Sequence, residues 1–221
     1  MKKFYVLLMA IVSVLVFALT GCSDGGTFEA KTYQTELNAI ESVSIQVTDR
    51  ELNISASEDE QIHIEYFDSE KEYLEINISE SNVLTVKLAF NKEWTDFIGT
   101  KPVAENRKIN IKVPNNLLAK ITASTTNENI KVTALSVTDS ISLDSNGGNV
   151  ICEQVNVNNA INLKAKDGNI TGTVIGGWDD FAISCKIKKG DCNLPLNKES
   201  GEKSFTADCN NGDINIEFVK Q

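Results

Sequence analysis

The feature that most constrains this chain is a turn that recurs five times in its second half. The segments TNENIKV, SNGGNVIC, KDGNITG, KKGDCNL and NNGDINI each pass from polar residues through Asn or Asp into an apolar residue or cysteine. The marker residues are Asn129, Asn149, Asn169, Asp191 and Asp213, spaced 20, 20, 22 and 22 residues apart. Eight, six and four residues before each marker stand Ile121/Ala123/Thr125, Ile141/Leu143/Ser145, Ile161/Leu163/Ala165, Ile183/Cys185/Ile187 and Phe205/Ala207/Cys209. One and three residues after it stand Ile130/Val132, Val150/Cys152, Ile170/Gly172, Cys192/Leu194 and Ile214/Ile216. The residues between are mostly Asn, Ser, Thr, Lys and Asp, so both flanks alternate with period two, the mark of a half-buried strand.

A unit this short cannot bury its own apolar face, but stacked copies can share one core. Neighbouring strands then lie about 4.8 Å apart and pair in parallel. The expected fold is all-β: a parallel β-solenoid of 20–22 residues per coil over 115–221. An antiparallel meander also repeats its turns, but it gives no reason for both flanks to keep register with one marker. Gly148, Gly168, Gly190 and Gly212 each precede a marker. A tight turn needing positive φ is the expected reason.

Residues 39–114 are β-rich without the repeat. Val43–Val47, Leu52–Ile54, Ile62–Tyr66, Leu74–Ile78, Val83–Ala89 and Ile109–Val113 all alternate. This section reads as a small sandwich or as irregular first coils that cap the stack. Residues 91–106, with Trp94, Phe97, Gly99 and Pro102, break the alternation and read as an inserted loop.

The N-terminus carries a different signal. Lys2 and Lys3 precede an apolar run from Phe4 to Leu19, then Thr20, Gly21 and Cys22. That is the layout of a secretory signal over residues 1–21. Leu19-Thr20-Gly21-Cys22 resembles the lipobox of bacterial lipoproteins, which implies acylation of Cys22 and a stable anchor in membrane lipid. An uncleaved membrane helix is the alternative, disfavoured because Gly-Cys falls where the hydrophobicity stops. Residues 22–38 lack periodicity and read as the lipidated cysteine with a flexible tether.

The strand Lys108–Val113 followed by Pro114, then Leu117, Leu118 and the x-Gly-Asn/Asp-Ile turns, resembles the bacterial putative-adhesin family of β-strand-repeat domains of unknown function. The resemblance spans about 40–221, and the first turn departs from it with Glu128 in place of glycine. It implies an adhesin-like role and carries over no functional residues.

The formal net charge is −10, and residues 49–80 hold eleven Asp or Glu against Arg50 and Lys71. Such a chain repels phosphate backbones, so nucleic acid is excluded as a partner. From 109 onward there is neither Arg nor His. There is no G-x-S-x-G or H-E-x-x-H, and the neighbouring Asp179 and Asp180 beside Trp178 read as an exposed loop rather than a catalytic pair. No enzyme and no cofactor is expected. Asp191 and Asp213 are a weak calcium candidate, outweighed by a role as turn residues. Cys152, Cys185, Cys192 and Cys209 fall on inward positions and read as core filling; if a disulfide forms, Cys192–Cys209 is the candidate. Trp94, Phe97 and Trp178 interrupt the β pattern and are the candidate partner contacts, with folding back as lids on the core as the competing role.

These readings converge on a non-catalytic, lipid-anchored cell-envelope or surface protein, an adhesin-like scaffold on the extracytoplasmic face with protein or glycan partners. The alternative is an envelope-stress or signalling accessory that binds another membrane protein. A glycan-active β-helix enzyme ranks third.

Overall fold

The computed structural model describes residues 27–37, 40–94 and 101–220. The alternating rows of the repeat become strands whose inward residues stack rung upon rung. On one side of the core, β8 (Lys120–Thr125), β11 (Ser140–Ser145) and β13 (Ala160–Asp167) pair in parallel. Ile121, Ile141 and Ile161 form one row there, and Ala123, Leu143 and Leu163 the next. On the other side, β9 (Ile130–Thr133), β12 (Val150–Val157) and β14 (Ile170–Ile175) align Ile130, Val150 and Ile170. Each of these isoleucines is fully buried, a contribution of roughly 1.5–3 kcal/mol apiece.

The stack does not begin at 115. β2 (Ser42–Gln46) pairs in parallel with β8, and β3 (Glu51–Ala56) with β9. Val43 and Ile45 continue the rows of Ile121 and Ala123; Leu52 and Ile54 continue those of Ile130 and Val132. β6 (Val83–Phe90) and β7 (Lys108–Val113) add one more parallel rung to each side. Residues 39–114 and the repeats therefore share one core.

Two departures correct the expected parallel solenoid. First, the sheets are mixed. β4 (Gln61–Asp68) runs antiparallel to β7, and β5 (Glu72–Ile78) antiparallel to β6. β1 (Glu29–Glu36) closes the N-terminal edge antiparallel to β4. Residues 29–36 are thus strand where a tether was expected. Tyr33 packs on the core and Phe28 is buried, which is enough to hold an edge strand whose other residues are half exposed.

Second, the last two coils exchange places. β17 (Lys203–Asn211) pairs β13 directly, and β15 (Phe181–Lys189) lies outside β17. β18 (Ile214–Val219) pairs β14. After β15 the chain makes only a single parallel bridge, Cys192 to Ile214. Pro195 follows, and a residue without an N–H cannot extend a strand. The chain returns through β16 (Asn197–Lys198), antiparallel to β15. β10 (Ser136–Val137) pairs β12, and each sheet holds nine strands among the described residues.

The markers form a ladder in the order 129, 149, 169, 213, 191. Each side-chain oxygen accepts the backbone N–H of the next marker: Asn129 from Asn149 and Asn149 from Asn169 at 2.8 Å, Asn169 from Asp213 and Asp213 from Asp191 at 2.9 Å. In return each backbone carbonyl accepts the N–H just past the previous marker, as Asn149 does from Ile130 at 2.9 Å. Only two of the four marker glycines have positive φ, Gly190 at 119° and Gly212 at 150°. Gly148 and Gly168 are glycine for a different reason: a Cβ would enter the backbone of the turn beneath, at Glu128 and Gly148 respectively. Glu128 in the first turn has its carboxylate ion-paired with Arg107.

At the N-terminal end a charged cluster is buried. Arg50 is 2% exposed and Glu72 5%, and Glu72 is ion-paired with both Arg50 and Lys92. Burial pushes the Glu72 carboxyl up, but hydrogen bonds and charge from Lys92 and Arg50 outweigh it and hold the group below its ordinary value. Asp68 goes the other way: burial raises it, and the Leu74 N–H, Lys31 and Arg50 offset only part of that rise.

Two predictions follow from this packing. Gly172 has φ +138°, and a Cβ there would overlap the Cys152 carbonyl. Gly172→Ala is expected to cost roughly 2 kcal/mol or more in denaturant unfolding, whereas Gly177→Ala, which meets first the flexible end of Lys220, changes stability by less than about 0.5 kcal/mol. A carboxylate with a depressed folded pKa adds stability above its unfolded value, lost as pH falls through the folded one. Glu72→Gln should cost about 3 kcal/mol at neutral pH by leaving Arg50 without its counter-charge. The gap between variant and parent should then narrow on acidification below the ordinary glutamate range.

Candidate functional site

The two ends of the stack carry an exposed tryptophan and an acidic cleft. At the C-terminal end the chain leaves β14 through Gly176 and Gly177 into a single 3-10 turn, Trp178–Asp180. Asp180 accepts the Gly177 N–H at 2.7 Å, which fixes the turn and the position of Trp178. The indole packs edge-on against Phe218 at 5.7 Å between centroids. Phe218 in turn contacts Phe181 at 5.0 Å and Phe205 at 5.6 Å, which joins the patch to the core. Trp178 remains 42% exposed, with Val219 at 46% and Leu196 at 66%. Lys198 places its ammonium 5.7 Å from the Trp178 ring centre and also donates to the carbonyls of Phe181 and Ser200. Trp178 is both lid and surface: one edge seals the aromatic cluster and the rest faces solvent.

Trp94 is 76% exposed but follows β6, six strands from β15 in the same sheet, roughly 29 Å at normal strand spacing. The two tryptophans do not form one site. Phe97 and Cys22, like the signal segment 1–21, lie outside the described residues.

At the other end a cleft of about 710 Å³ opens beside β1 and β4. Glu36, Glu41, Asp59 and Glu60 line it, over an apolar floor of Leu37, Ile40 and Leu117. Asp59 accepts from His63 at 2.8 Å and from the Gln61 N–H at 3.0 Å. These bonds, His63 first, hold its carboxyl below the ordinary value. Sequence reading located the acidic stretch but not the cleft, because β1 and Leu117 approach it from distant parts of the chain.

Asp191 and Asp213, the weak calcium candidate, both belong to the marker ladder. Asp213 spends one oxygen on Asp191 and its own N–H on Asn169. Among the described residues no three His, Cys, Asp or Glu side chains gather as a metal site, and no buried polar side-chain atom lacks a partner. Cys192 and Cys209, the expected bridge, are drawn as thiols in the structure, as are Cys152 and Cys185. Cys209 instead directs its thiol toward the carbonyls of Gly168 and Gly212, each at 3.3 Å.

The fold is an all-β stack of short repeats with an exposed tryptophan at one end and an acidic cleft at the other. The chain belongs to the Toastrack DUF4097 family, whose model matches residues 40–175. Among solved structures it is similar to a putative cell adhesion protein from Clostridium sporogenes. The identity is 15% and the TM-score 0.64, over 87% of this chain and all of the other. A putative adhesin from Bacteroides fragilis aligns at 12% identity and TM-score 0.39, over 85% of this chain and 97% of that one. No curated protein matches. No described helix is long and apolar enough to cross a membrane.

The ladder makes a testable distinction. Asp213→Asn keeps the acceptor for Asp191 and should leave stability within about 0.5 kcal/mol. Asp213→Ala removes the acceptor and should cost about 1 kcal/mol. Added calcium should not shift the melting temperature of the parent protein; a rise that Asp213→Asn abolishes would restore the metal site.

Proposed function

We propose that this protein is a non-catalytic, lipid-anchored scaffold of the cell envelope that presents its C-terminal end to a protein or glycan partner. The observation that carries the reading is the half-exposed Trp178, seated on the Phe181–Phe205–Phe218 cluster at the end of the stack. Rigid, half-exposed aromatics give large contact area at little entropic cost. The strands that would form a parallel solenoid supply the stiffness: five marker turns in register. The adhesion named for the Clostridium sporogenes structure agrees with such a role. So does the Leu19-Thr20-Gly21-Cys22 segment, which would tether the chain by Cys22 on the extracytoplasmic face. β1 follows that segment and lies at the edge of the stack opposite β18, so the anchor would leave the Trp178 end facing outward.

The acidic cleft favours a second reading, an accessory that binds a basic segment of another membrane protein. Its carboxylates over an apolar floor suit an amphipathic cationic chain, and such binding would weaken steeply with salt.

Glycan arrays and cross-linking in native envelopes, run with parent and Trp178→Ala protein, separate these readings. The first expects capture that is insensitive to salt and weakened about tenfold or more by Trp178→Ala, the scale of a hot-spot loss. Capture that survives Trp178→Ala but fails in Glu41→Gln/Glu60→Gln protein would support the second reading and end the first.

A further inference from the structure

We infer that Cys185 and Cys192 form a disulfide that fastens residues 190–196 to the C-terminal end of the stack. The register places both side chains inward on the same coil. Cys185 lies on β15 opposite Ala207 and is 4% exposed. Cys192 comes just past the turn, bridges Ile214 on the facing sheet and packs against the core while half buried. The Cys192 thiol lies near enough to act on that of Cys185. The other two cysteines are worse placed. Cys209 sits on the neighbouring coil with its thiol at the Gly168 and Gly212 carbonyls. Cys152 is fully buried on β12, with β14 and β18 between it and Cys192.

The segment has reason to need fastening. It is not a full strand: Asn193 substitutes for one by donating its backbone N–H to Ile214 at 3.1 Å. Its side-chain amide bonds both backbone groups of Ile216, at 2.9 and 3.1 Å. Pro195 then ends the pairing, and Leu196 reaches back to accept the Cys185 N–H at 2.9 Å. Lys198 follows directly and sets its ammonium over the Trp178 ring, so fixing this segment steadies one neighbour of the proposed contact residue.

The chemistry has a natural order. Burial above all, with Cys192 alongside, pushes the Cys185 thiol up to about 12, so it stays protonated while the more accessible Cys192 reacts first. The Cys192 thiolate attacks a disulfide, that of a thiol–disulfide oxidoreductase outside the cytoplasm or of oxidised glutathione. One thiolate leaves and a mixed disulfide forms. The Cys185 sulfur, its proton passing to solvent, then attacks the Cys192 sulfur and displaces the second thiolate. Two protein thiols lose two protons and two electrons in total, and the oxidant disulfide becomes two thiols. In the cell this rests on the export reading, because the cytoplasm keeps such pairs reduced.

The test is a peptide map of the full chain purified in detergent, reduced, then exposed to oxidised glutathione and alkylated. Trypsin cuts after Lys166, Lys186, Lys189, Lys198, Lys203 and Lys220, which puts Cys185 in 167–186, Cys192 in 190–198 and Cys209 in 204–220. The expected result is 167–186 linked to 190–198, absent in Cys192→Ser and kept in Cys209→Ser. A rise in melting temperature on oxidation should follow the same pattern. Linkage of 190–198 to 204–220, or full alkylation of both cysteines after oxidant, would overturn the inference. If the link forms in the purified chain while protein taken directly from cells is fully reduced, the pairing stands and the export reading falls.

Discussion

Everything in this fold leans on the hydrogen bonds between successive marker turns. A parallel coil leaves half of its turn's backbone groups facing the coil above and half facing the coil below. Asn or Asp solves the problem because its side-chain oxygen is short enough to reach one rung and no further, and it accepts the next turn's N–H at 2.8–2.9 Å. Because the backbone carbonyl answers in the opposite direction, each turn is fixed to its neighbour by a pair of bonds. A slip of one residue would break both bonds and turn the inward rows outward. The glycine before the marker belongs to the same constraint: turns this close leave no room for a Cβ at Gly148 or Gly168.

A stack fixed in this way has a problem at each end, where the last turn has nothing to answer it. The two ends are closed differently. At the N-terminal end the chain reverses direction, so that β1, β4 and β5 pair antiparallel, and the corner is filled by Arg50 and Glu72 rather than by apolar residues. An ion pair buried to this degree is poor evidence for added stability, but it is unforgiving of a wrong partner and so selects one arrangement of the corner. At the C-terminal end closure is by side chains: the Asn193 amide on Ile216, and the Phe181–Phe205–Phe218 cluster under Trp178.

The inward rows, the marker ladder and the all-β class were legible in the sequence because they repeat, and repetition makes each position a check on four others. What the sequence did not disclose is what happens once. The exchange of the last two coils was hidden because Ile183, Cys185 and Ile187 fit the same rows as Phe205, Ala207 and Cys209, so either coil can sit on β13 without changing the pattern. Pro195 was the available signal: a coil interrupted three residues after Cys192 cannot offer a complete strand to a neighbour. β1 was missed because an edge strand with one inward tyrosine shows no hydrophobic period. Both surface features depend on such single events. The cleft is closed by β1, and Lys198 comes over Trp178 on the segment that Pro195 turns back.

The manner of closure also decides how a partner can engage. Strand addition requires a run of unpaired backbone groups on an exposed edge. On the β18 edge, Asp191 and Asn193 already bond the backbone groups of Ile214, and the Asn193 amide takes both groups of Ile216. On β15, β16 bonds part of the edge, and the outward residues beyond it include Lys186 and Lys188, the kind of charge that keeps sheet edges apart. A net charge of −10 adds mutual repulsion between copies. The C-terminal end of the stack is therefore built against growth by strand addition. The side chains there are aromatic and aliphatic, with Lys198 over the Trp178 ring. At the N-terminal end they are carboxylates over leucine and isoleucine. The two ends thus present opposite chemistry on one shared core.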